Sequence, residues 1–368
     1  MTKRVAIIAF NYFTKGAVSA LRPQYWSENL SSCDEKIICD VLTSQENLDN
    51  RTLPNNGEII TIVNTKKSLF SRFVNFDPGL DWAVNLKDFL KSTNSKYDVV
   101  IFTGSPFLHF SVAKICKAKF NCKVVMDFRD PFSNSPDHNP KLYKRWIKKM
   151  LERRFIKQAD AIITVNEACA ALLETNKKVH IIDNGFNEKT INNLPRRPSS
   201  KKIKIIYPGK FYPSYKAILP FIEIVHERKY EFFYFGSEYE NIKHLRNDYF
   251  IPSKQLPQEL MLDKMSNCNV GVILHTGAMH HSTTKIFDYI GMEMHILILC
   301  ANEVTHGEIY DIVENYPNVE WCMNNKEDIL RAFDAIKAKG EPKNFPQRMN
   351  YSRESGTKKV IEIINEIT

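Results

Sequence analysis

Short apolar runs alternate with amphipathic stretches along the whole chain. The runs are rich in Ile, Val and Phe, which is typical of strands buried on both faces of a parallel sheet. They predict strands at residues 4–10, 37–42, 58–63, 98–103, 123–127, 159–165, 179–183, 204–209, 230–236, 270–274, 295–300 and 319–322. Helical spacing of apolar residues predicts helices at 17–30, 82–89, 107–118, 140–158, 217–227, 257–265, 285–292, 305–314, 326–337 and 352–367. The alternation predicts an α/β fold.

The alternation is interrupted near the middle of the chain. Residues 191–202, INNLPRRPSSKK, are polar, basic and contain proline, which is typical of a linker between domains. A chain of 368 residues also exceeds what one hydrophobic core usually supports. We therefore expect an N-terminal Rossmann-like domain at 1–190, a second at 203–350, and a C-terminal helix at 351–368 that would cross back to the N-terminal domain.

The first predicted strand, loop and helix form the opening of a Rossmann-like unit. Gly16 is the single glycine in that loop, where a dinucleotide-binding fingerprint requires three. This difference argues against a nicotinamide-dependent dehydrogenase.

A polar loop follows the strand at 270–274 and leads into the helix at 285–292. The hydroxyls of Ser282, Thr283 and Thr284 are expected to cap this helix, and parallel sheets bind ligands at the ends where such loops lie. An anion such as phosphate is favoured at a helix N-terminus. The loop also holds His275, His280 and His281. Zinc is one interpretation of these imidazoles, but no carboxylate accompanies them, so polar residues that line a ligand site are favoured and no metal is expected.

Two lysines stand on the loop after the strand at 204–209. Lys210 follows the glycine at which the strand ends, and Lys216 opens the next helix. Two cations at this separation could flank a diphosphate and stabilise the charge that develops when it leaves. The alternative is that both are ordinary exposed loop lysines.

Composition adds limits on location and partners. The eight cysteines are scattered without a CxxC pair, and no signal peptide or apolar run of membrane-spanning length is evident, so a cytoplasmic protein with reduced thiols is expected. The net charge of +9 indicates an anionic partner. Residues 140–158 concentrate this charge around an apolar stripe of Leu142, Trp146, Met150 and Phe155. This helix either docks on the protein through the stripe or lies on anionic lipid. Nucleic acid is disfavoured because no recognition module is found.

Several short motifs occur in an order that resembles a known family. They are Phe128-Arg-Asp-Pro-Phe132, Glu152 with Ala159-Asp-Ala-Ile-Ile163, Asn184-Gly-Phe-Asn187, Gly209-Lys210 with Lys216, and Thr284-Lys-Ile-Phe-Asp-Tyr-Ile-Gly291. Together they are similar to family 4 of the GT-B glycosyltransferases, especially to a subgroup that includes bacterial envelope-polysaccharide transferases of capsule and lipopolysaccharide. The resemblance implies a GT-B fold, in which two Rossmann-like domains face each other across a cleft.

The resemblance also implies roles for particular residues. Lys210 and Lys216 match the basic pair that binds the donor diphosphate, with Thr283 and Thr284 beside it, and Asp288 matches the second acid of an E-x7-E motif, which binds the ribose. His280 stands where the first Glu of that motif is expected. Asp130 is the expected catalytic base or orienting residue near the acceptor hydroxyl, and the alternative is that Asp130 forms an ion pair with Arg129 that fixes the loop. His280 could donate to a hydroxyl of the donor sugar or to a phosphate oxygen. Further contacts to donor or acceptor are expected from Gly16, Arg22, Arg129, Glu238 and His281.

The expected function follows from these assignments. The protein would transfer a sugar from a nucleotide-sugar to a hydroxyl of a lipid-linked glycan, with retention of configuration and without a cofactor or metal. It would act in the cytoplasm, peripherally bound to the inner face of the membrane. Two alternatives remain: a nucleotide-sugar-binding protein that has lost turnover, as the His280 and Asp288 differences suggest, and a GT-B sugar-nucleotide epimerase.

Overall fold

A computed structural model describes most of the chain. The described residues are 2–13, 18–44, 56–69, 77–134, 141–195, 202–211, 214–277, 279, 283–304 and 306–368. The chain forms two compact units. The N-terminal unit comprises Met1–Asn184 and Glu354–Thr368, and the C-terminal unit comprises Gly185–Arg353.

Strands and helices alternate through both units, as the sequence predicts. The strands of the described residues are β1 (Lys3–Ala9), β2 (Ile37–Thr43), β3 (Ile59–Thr61), β4 (Val99–Thr103), β5 (Lys123–Phe128), β6 (Ala161–Thr164), β7 (Val179–Ile181), β8 (Lys204–Pro208), β9 (Glu231–Phe235), β10 (Phe250–Ser253), β11 (Val270–His275), β12 (His295–Cys300) and β13 (Val319–Met323). The helices are α1 (Val18–Cys33), α2 (Gly79–Ser92), α3 (Ala113–Phe120), α4 (Leu142–Gln158), α5 (Glu167–Leu172), α6 (Glu188–Asn192), α7 (Leu219–Arg228), α8 (Tyr239–Ile242), α9 (Gln258–Ser266), α10 (Lys285–Gly291), α11 (Glu308–Val313), α12 (Lys326–Lys339) and α13 (Arg353–Ile367).

The N-terminal unit is built on a parallel sheet with the strand order β3-β2-β1-β4-β5-β6-β7. Alternate side chains of the same strand enter different cores. Ile8 lies in one buried cluster with Trp82, whereas Val5 lies in another with Trp26. Because both faces of the sheet are covered, its central strands consist mainly of apolar residues.

The last helix, α13, packs into the N-terminal unit. Val360, Ile361, Ile363 and Ile364 are buried in the core that contains Val5. Fully burying an aliphatic side chain of this size contributes about 1.5–3 kcal/mol, so the apolar stripe of α13 accounts for its position.

The C-terminal unit repeats this architecture with a parallel sheet in the order β10-β9-β8-β11-β12-β13. Ile205 and Ile206, neighbours on β8, lie in different buried clusters. The prediction of an α/β fold with two parallel sheets is therefore confirmed.

In each sheet the order of strands reverses at one place. It reverses between β1 and β4 in the N-terminal unit and between β8 and β11 in the C-terminal unit. In open parallel sheets, ligands bind outside the carboxyl ends of the strands at such a reversal, because the loops diverge there and leave a crevice.

Several local predictions differ from the structure. β10 was not predicted, because Pro252 interrupts its short apolar run. The predicted helix at 107–118 begins as a 3-10 helix, Leu108–Val112, before α3. The predicted linker overlaps α6, and its residues 196–201 lie outside the described residues. None of the described helices combines the length and the apolar character needed to cross a membrane.

Candidate functional site

The loop after β8 is fixed by a stack of buried aromatic rings. Phe211 stacks on Tyr207 with ring centroids 5.0 Å apart and on Tyr234 at 4.4 Å. The Tyr207 hydroxyl donates to the main-chain carbonyl of Lys210 at 3.0 Å. Gly209 turns the chain at a φ of +103°, a conformation that favours glycine. The backbone of Lys210 is thus held while its side chain stays exposed.

Lys216 lies in a short 3-10 helix, Tyr215–Ile218, that continues this loop. The Ser214 hydroxyl accepts from the Lys216 backbone N–H at 3.2 Å and caps the helix. The side chains of Lys210 and Lys216 are exposed, and neither forms an ion pair within the described residues. The structure therefore leaves both lysines available to an anion.

The loop after β11 is only partly described. His275 is buried, its Nδ1 accepts from the Gly277 N–H at 2.9 Å, and burial lowers the pKa of His275. This imidazole is therefore neutral and structural. His280, His281 and Ser282, with their predicted roles, lie outside the described residues, as does Gly16.

Thr283 and Thr284 are half-buried at the start of α10. The expectation that a Thr284 hydroxyl caps this helix is wrong. Thr284 occupies the cap position with helical torsions, φ −63° and ψ −25°, and its side chain makes no capping bond. A capping hydroxyl reaches the helix N–H groups from extended backbone, which this residue lacks.

Asp288 lies one turn into α10. Burial raises the pKa of Asp288 to about 6, although Arg353 opposes the shift. The carboxylate is ionised at neutral pH but incompletely solvated. A ligand hydroxyl that donates to it would relieve this cost.

Lys285, the first residue of α10, was not assigned a role from the sequence. Its ammonium lies 3.8 Å from the centroid of the Tyr207 ring. Burial lowers the pKa of Lys285 to about 7. The sequence signal was its place directly after Thr284, but Tyr207 is remote in the chain, so only the folded structure reveals the contact.

Glu238 follows β9 at the same edge of the sheet. Its backbone N–H donates to the Tyr234 hydroxyl at 3.0 Å, and its carboxylate accepts from Asn241 Nδ2 at 2.9 Å. Since β9, β8 and β11 are adjacent and parallel, Glu238, Lys210 and Lys285 follow the carboxyl ends of three neighbouring strands.

The N-terminal unit has a different polar cluster at the carboxyl end of β5. Asp127 is fully buried, and its Oδ2 accepts from the Thr103 hydroxyl at 2.9 Å. Arg22 Nη2 lies 3.1 Å from Asp127 Oδ1, and Arg22 Nη1 donates to the Ile182 carbonyl at 2.6 Å. The Arg22 guanidinium also stacks over Trp26, 4.6 Å from the ring centroid. Arg22 is therefore held inside this unit by contacts with its own chain.

Arg129 and Asp130 come directly after β5. Arg129 is 6% exposed, and its Nε and Nη1 are buried without a hydrogen-bond partner among the described residues. Asp130 is exposed and close enough to Asp127 to raise the pKa of that carboxyl, behind the larger effect of burial. Sequence reasoning missed Asp127, which reads as the last residue of an apolar strand.

The basic helix α4 does not dock along its whole apolar stripe. Phe155 is buried, but Leu142 is 85% exposed and Trp146 is 66% exposed. Glu152, on the buried side, accepts from the Ser133 backbone N–H at 3.0 Å and anchors the loop after β5. The interpretation that the stripe docks on the protein is thus wrong for the first half of α4.

A shallow cavity of about 460 Å³ lies along the same helix. It is lined by Trp146, Lys149, Met150, Arg153, Arg154 and Lys157. Lys149 and Arg153 both pair with Glu174. The other cations leave a basic surface beside the exposed Leu142 and Trp146.

Acidic, cysteine and histidine side chains form no cluster of three that could hold a metal within the described ranges. This finding does not extend to His280 and His281.

Two parallel-sheet units with these strand orders define the class of GT-B glycosyltransferase folds. Sucrose-phosphate synthase from Thermosynechococcus elongatus superposes with a TM-score of 0.71 at 12% identity, covering 99% of each chain. An alpha-glucosyltransferase in complex with UDP gives a TM-score of 0.58 at 11% identity, over 99% of this chain and all of that one. UDP-N-acetylglucosamine 2-epimerase from Rickettsia bellii gives 0.57 at 10% identity, over all of this chain and 96% of that one.

The family model Glycosyltransferase Family 4 matches residues 39–190 of the chain. No curated protein matches the chain by sequence. The resemblance to family 4 of the GT-B glycosyltransferases is confirmed by sequence over those residues, and the GT-B fold is confirmed by the structural similarity over 99% of the chain.

Proposed function

We propose that the protein is a glycosyltransferase that moves a sugar from a nucleotide-sugar to a hydroxyl of a lipid-linked glycan. One observation carries this proposal. The strand order of the C-terminal sheet reverses beside β8, and Lys210 and Lys216 lie on the loop at the carboxyl end of that strand. Neither has an ion-pair partner among the described residues. An unpaired basic loop at such a place suits the diphosphate of a nucleotide-sugar. The similar alpha-glucosyltransferase in complex with UDP supports a uridine donor.

The donor contacts follow from this placement. Lys210 and Lys216 would bind the diphosphate, with Thr283 and Thr284 at the start of α10 beside it. Asp288 would accept hydrogen bonds from two ribose hydroxyls, since its burial raises its pKa only to about 6 and leaves it ionised at pH 7. Glu238 and His281 would contribute further contacts.

The chemical step would use front-face attack with retention, assisted by the leaving phosphate. Asp130, exposed on the loop after β5, would orient or deprotonate the acceptor hydroxyl. His280 would donate a hydrogen bond to the donor sugar, and Gly16 would support substrate contacts, whereas Arg22 is engaged by Asp127 and the Ile182 carbonyl.

Arg129 supports an acceptor that carries a negative group. A buried guanidinium with Nε and Nη1 unbonded is rare in proteins, because each unmade hydrogen bond costs about 1–3 kcal/mol. The diphosphate of a lipid-linked acceptor would supply oxygen atoms to these N–H groups.

Association with an anionic membrane surface would bring the enzyme to such an acceptor. Helix α4 combines the exposed Leu142 and Trp146 with the basic residues Arg154 and Lys157, the composition of an interfacial helix. Cosedimentation with anionic and neutral vesicles at low salt tests this association. We expect preference for anionic vesicles, reduced in Trp146→Ala; equal binding to both would contradict it.

The epimerase alternative is supported by the similarity to the Rickettsia enzyme. Incubation with UDP-sugars, followed by proton NMR, separates the two reactions. A transferase leaves the donor intact, apart from slow hydrolysis, until an acceptor is added. Conversion of a UDP-sugar to its epimer in the absence of an acceptor would show that the protein is an epimerase and would contradict the proposed transferase.

A protein that binds the donor but has lost turnover is the remaining alternative, motivated by His280 in place of the expected Glu. Membrane extracts that contain lipid-linked glycans provide the test. We expect release of UDP from the donor only when the extract is present. Tight donor binding without release in any extract would favour the binding protein.

A further inference from the structure

Lys285 differs from other lysines of the C-terminal unit in its surroundings. Several lysines of this unit form ion pairs, for example Lys243 with Glu240 and Lys339 with Glu320. Lys285 is half-buried, yet it has no ion-pair or hydrogen-bond partner among the described residues. A cation that is partly removed from water without a counter-ion requires an explanation.

The position of the Lys285 ammonium is fixed by its neighbours. It lies over the face of Tyr207, 3.8 Å from the ring centroid, and Tyr207 belongs to the stack with Phe211 and Tyr234. A methyl group placed on Gly209 would be 3.8 Å from Lys285 Nζ. The ammonium therefore reaches the turn that precedes Lys210.

This contact links the turn after β8 to the helix that follows β11, and β8 and β11 are the two strands between which the sheet order reverses. Gly209 follows β8 and Lys285 follows β11 after a loop. The attraction to the Tyr207 ring is weaker than the attraction of a partly desolvated ammonium to an anion. An anion at this turn would thus be bound by Lys285 as well as by Lys210.

We propose that Lys285 is a further diphosphate-binding residue, held in place by the Tyr207 ring, which binds the diphosphate of the donor together with Lys210 and Lys216. This inference rests on the proposed function, because it requires a nucleoside diphosphate at the same site. Burial lowers the pKa of Lys285 to about 7, and a bound diphosphate would restore its charge.

Calorimetric titration of the whole protein with UDP, GDP and ADP, and with the matching nucleosides, tests the proposal. The diphosphate that binds wild type most tightly is then titrated into Lys285→Met and Lys285→Arg. We expect about 10- to 100-fold weaker binding in Lys285→Met, because the phosphate oxygens lose a charged hydrogen-bond donor. Lys285→Arg, which keeps the charge, should lose much less.

Two controls define the interpretation. Nucleoside affinity should be the same in wild type and Lys285→Met, because the nucleoside lacks the diphosphate. Lys264→Met changes an exposed lysine near the end of α9, which precedes the amino end of β11. This variant should bind the diphosphate as tightly as wild type does.

The outcomes are distinct. Wild-type diphosphate affinity in Lys285→Met, or an equal loss for the nucleoside, would overturn the role of Lys285 and leave the proposed function standing. If none of the three diphosphates binds wild type, the proposed donor site itself fails, and the role of Lys285 with it.

Discussion

The two units place charged residues at the ends of their sheets in different ways. In the N-terminal unit, Arg22 and Asp127 are buried against each other and against the main chain. In the C-terminal unit, Lys210, Lys216 and Lys285 have no ion-pair partner among the described residues. The difference separates charges that are paired within the fold from charges that we propose bind a ligand. It predicts opposite results when each set is removed.

The largest expected effect is on the N-terminal cluster. Asp127→Ala would leave Arg22 buried without its counter-ion, and such a loss costs about 3–5 kcal/mol of unfolding free energy. Urea unfolding measures it. Lys66→Ala, which breaks the exposed pair with Asp88, is the control and should leave the unfolding free energy nearly unchanged. An equally small cost for Asp127→Ala would show that the cluster is not structural.

Lys210→Ala and Lys216→Ala test the other half of the comparison. Each should weaken binding of a nucleoside diphosphate about 10-fold, or about 1.4 kcal/mol, because one cation at the phosphates is lost. Both side chains are exposed, so the unfolding free energy should change by less than about 0.5 kcal/mol. Calorimetric titration measures the affinity for the diphosphate. Wild-type affinity in both variants would contradict the assignment of the donor site.

Lys285→Met should increase the stability of the ligand-free protein at pH 7. The lowered pKa would correspond to several kcal/mol in a fully buried group, and solvent around this half-buried side chain reduces the expected gain to about 1 kcal/mol. The pKa of Lys285 is lowered to about 7, below that of lysine in the unfolded chain, so folding disfavours the charged form. The free-energy cost of burying the charged ammonium is present in full below pH 7, and it disappears as the pH approaches the lysine pKa of about 10. Urea unfolding between pH 7 and 10 should show wild type approaching the variant. A gain that does not depend on pH would contradict the assigned cause.

The smallest effect is expected for Asp288→Asn. Burial raises the pKa of Asp288 to about 6. The carboxyl therefore does not reduce the stability of wild type below its unfolded pKa of about 4, and the stability falls as the pH rises from there through 6. The variant avoids this loss. Because Asp288 is only half-buried, solvent reduces the effect of the shift, and the variant should be more stable by less than about 1 kcal/mol at pH 7.5. Stability curves at pH 5 and 7.5 compare the two proteins. A variant that is less stable at both pH values would show that Asp288 supports the fold.

Local patterns in the sequence were sufficient to predict the fold, and they placed Lys210 and Lys216 on the loop after β8, where the structure has them. The position of Lys210 could be predicted because Gly209, directly before it, indicates a turn at the end of β8. Asp127 and Lys285 could not be assigned from the sequence, because their partners Arg22 and Tyr207 come from distant strands and helices. Amphipathic spacing also misplaced Trp146, since spacing shows which residues share a face but not whether that face is covered.

The central claim is that the C-terminal unit binds a nucleoside diphosphate through Lys210 and Lys216. A thermal-shift panel of UDP, GDP, ADP and CMP, with NAD as control, tests it most directly. At a hundred times its dissociation constant, a ligand that binds only the folded protein adds about 2.7 kcal/mol, which is easily measured. We expect one nucleoside diphosphate to raise the melting temperature of wild type, and to raise that of Lys216→Ala much less. A well-folded protein that responds to none of them, or responds to NAD instead, would contradict the account.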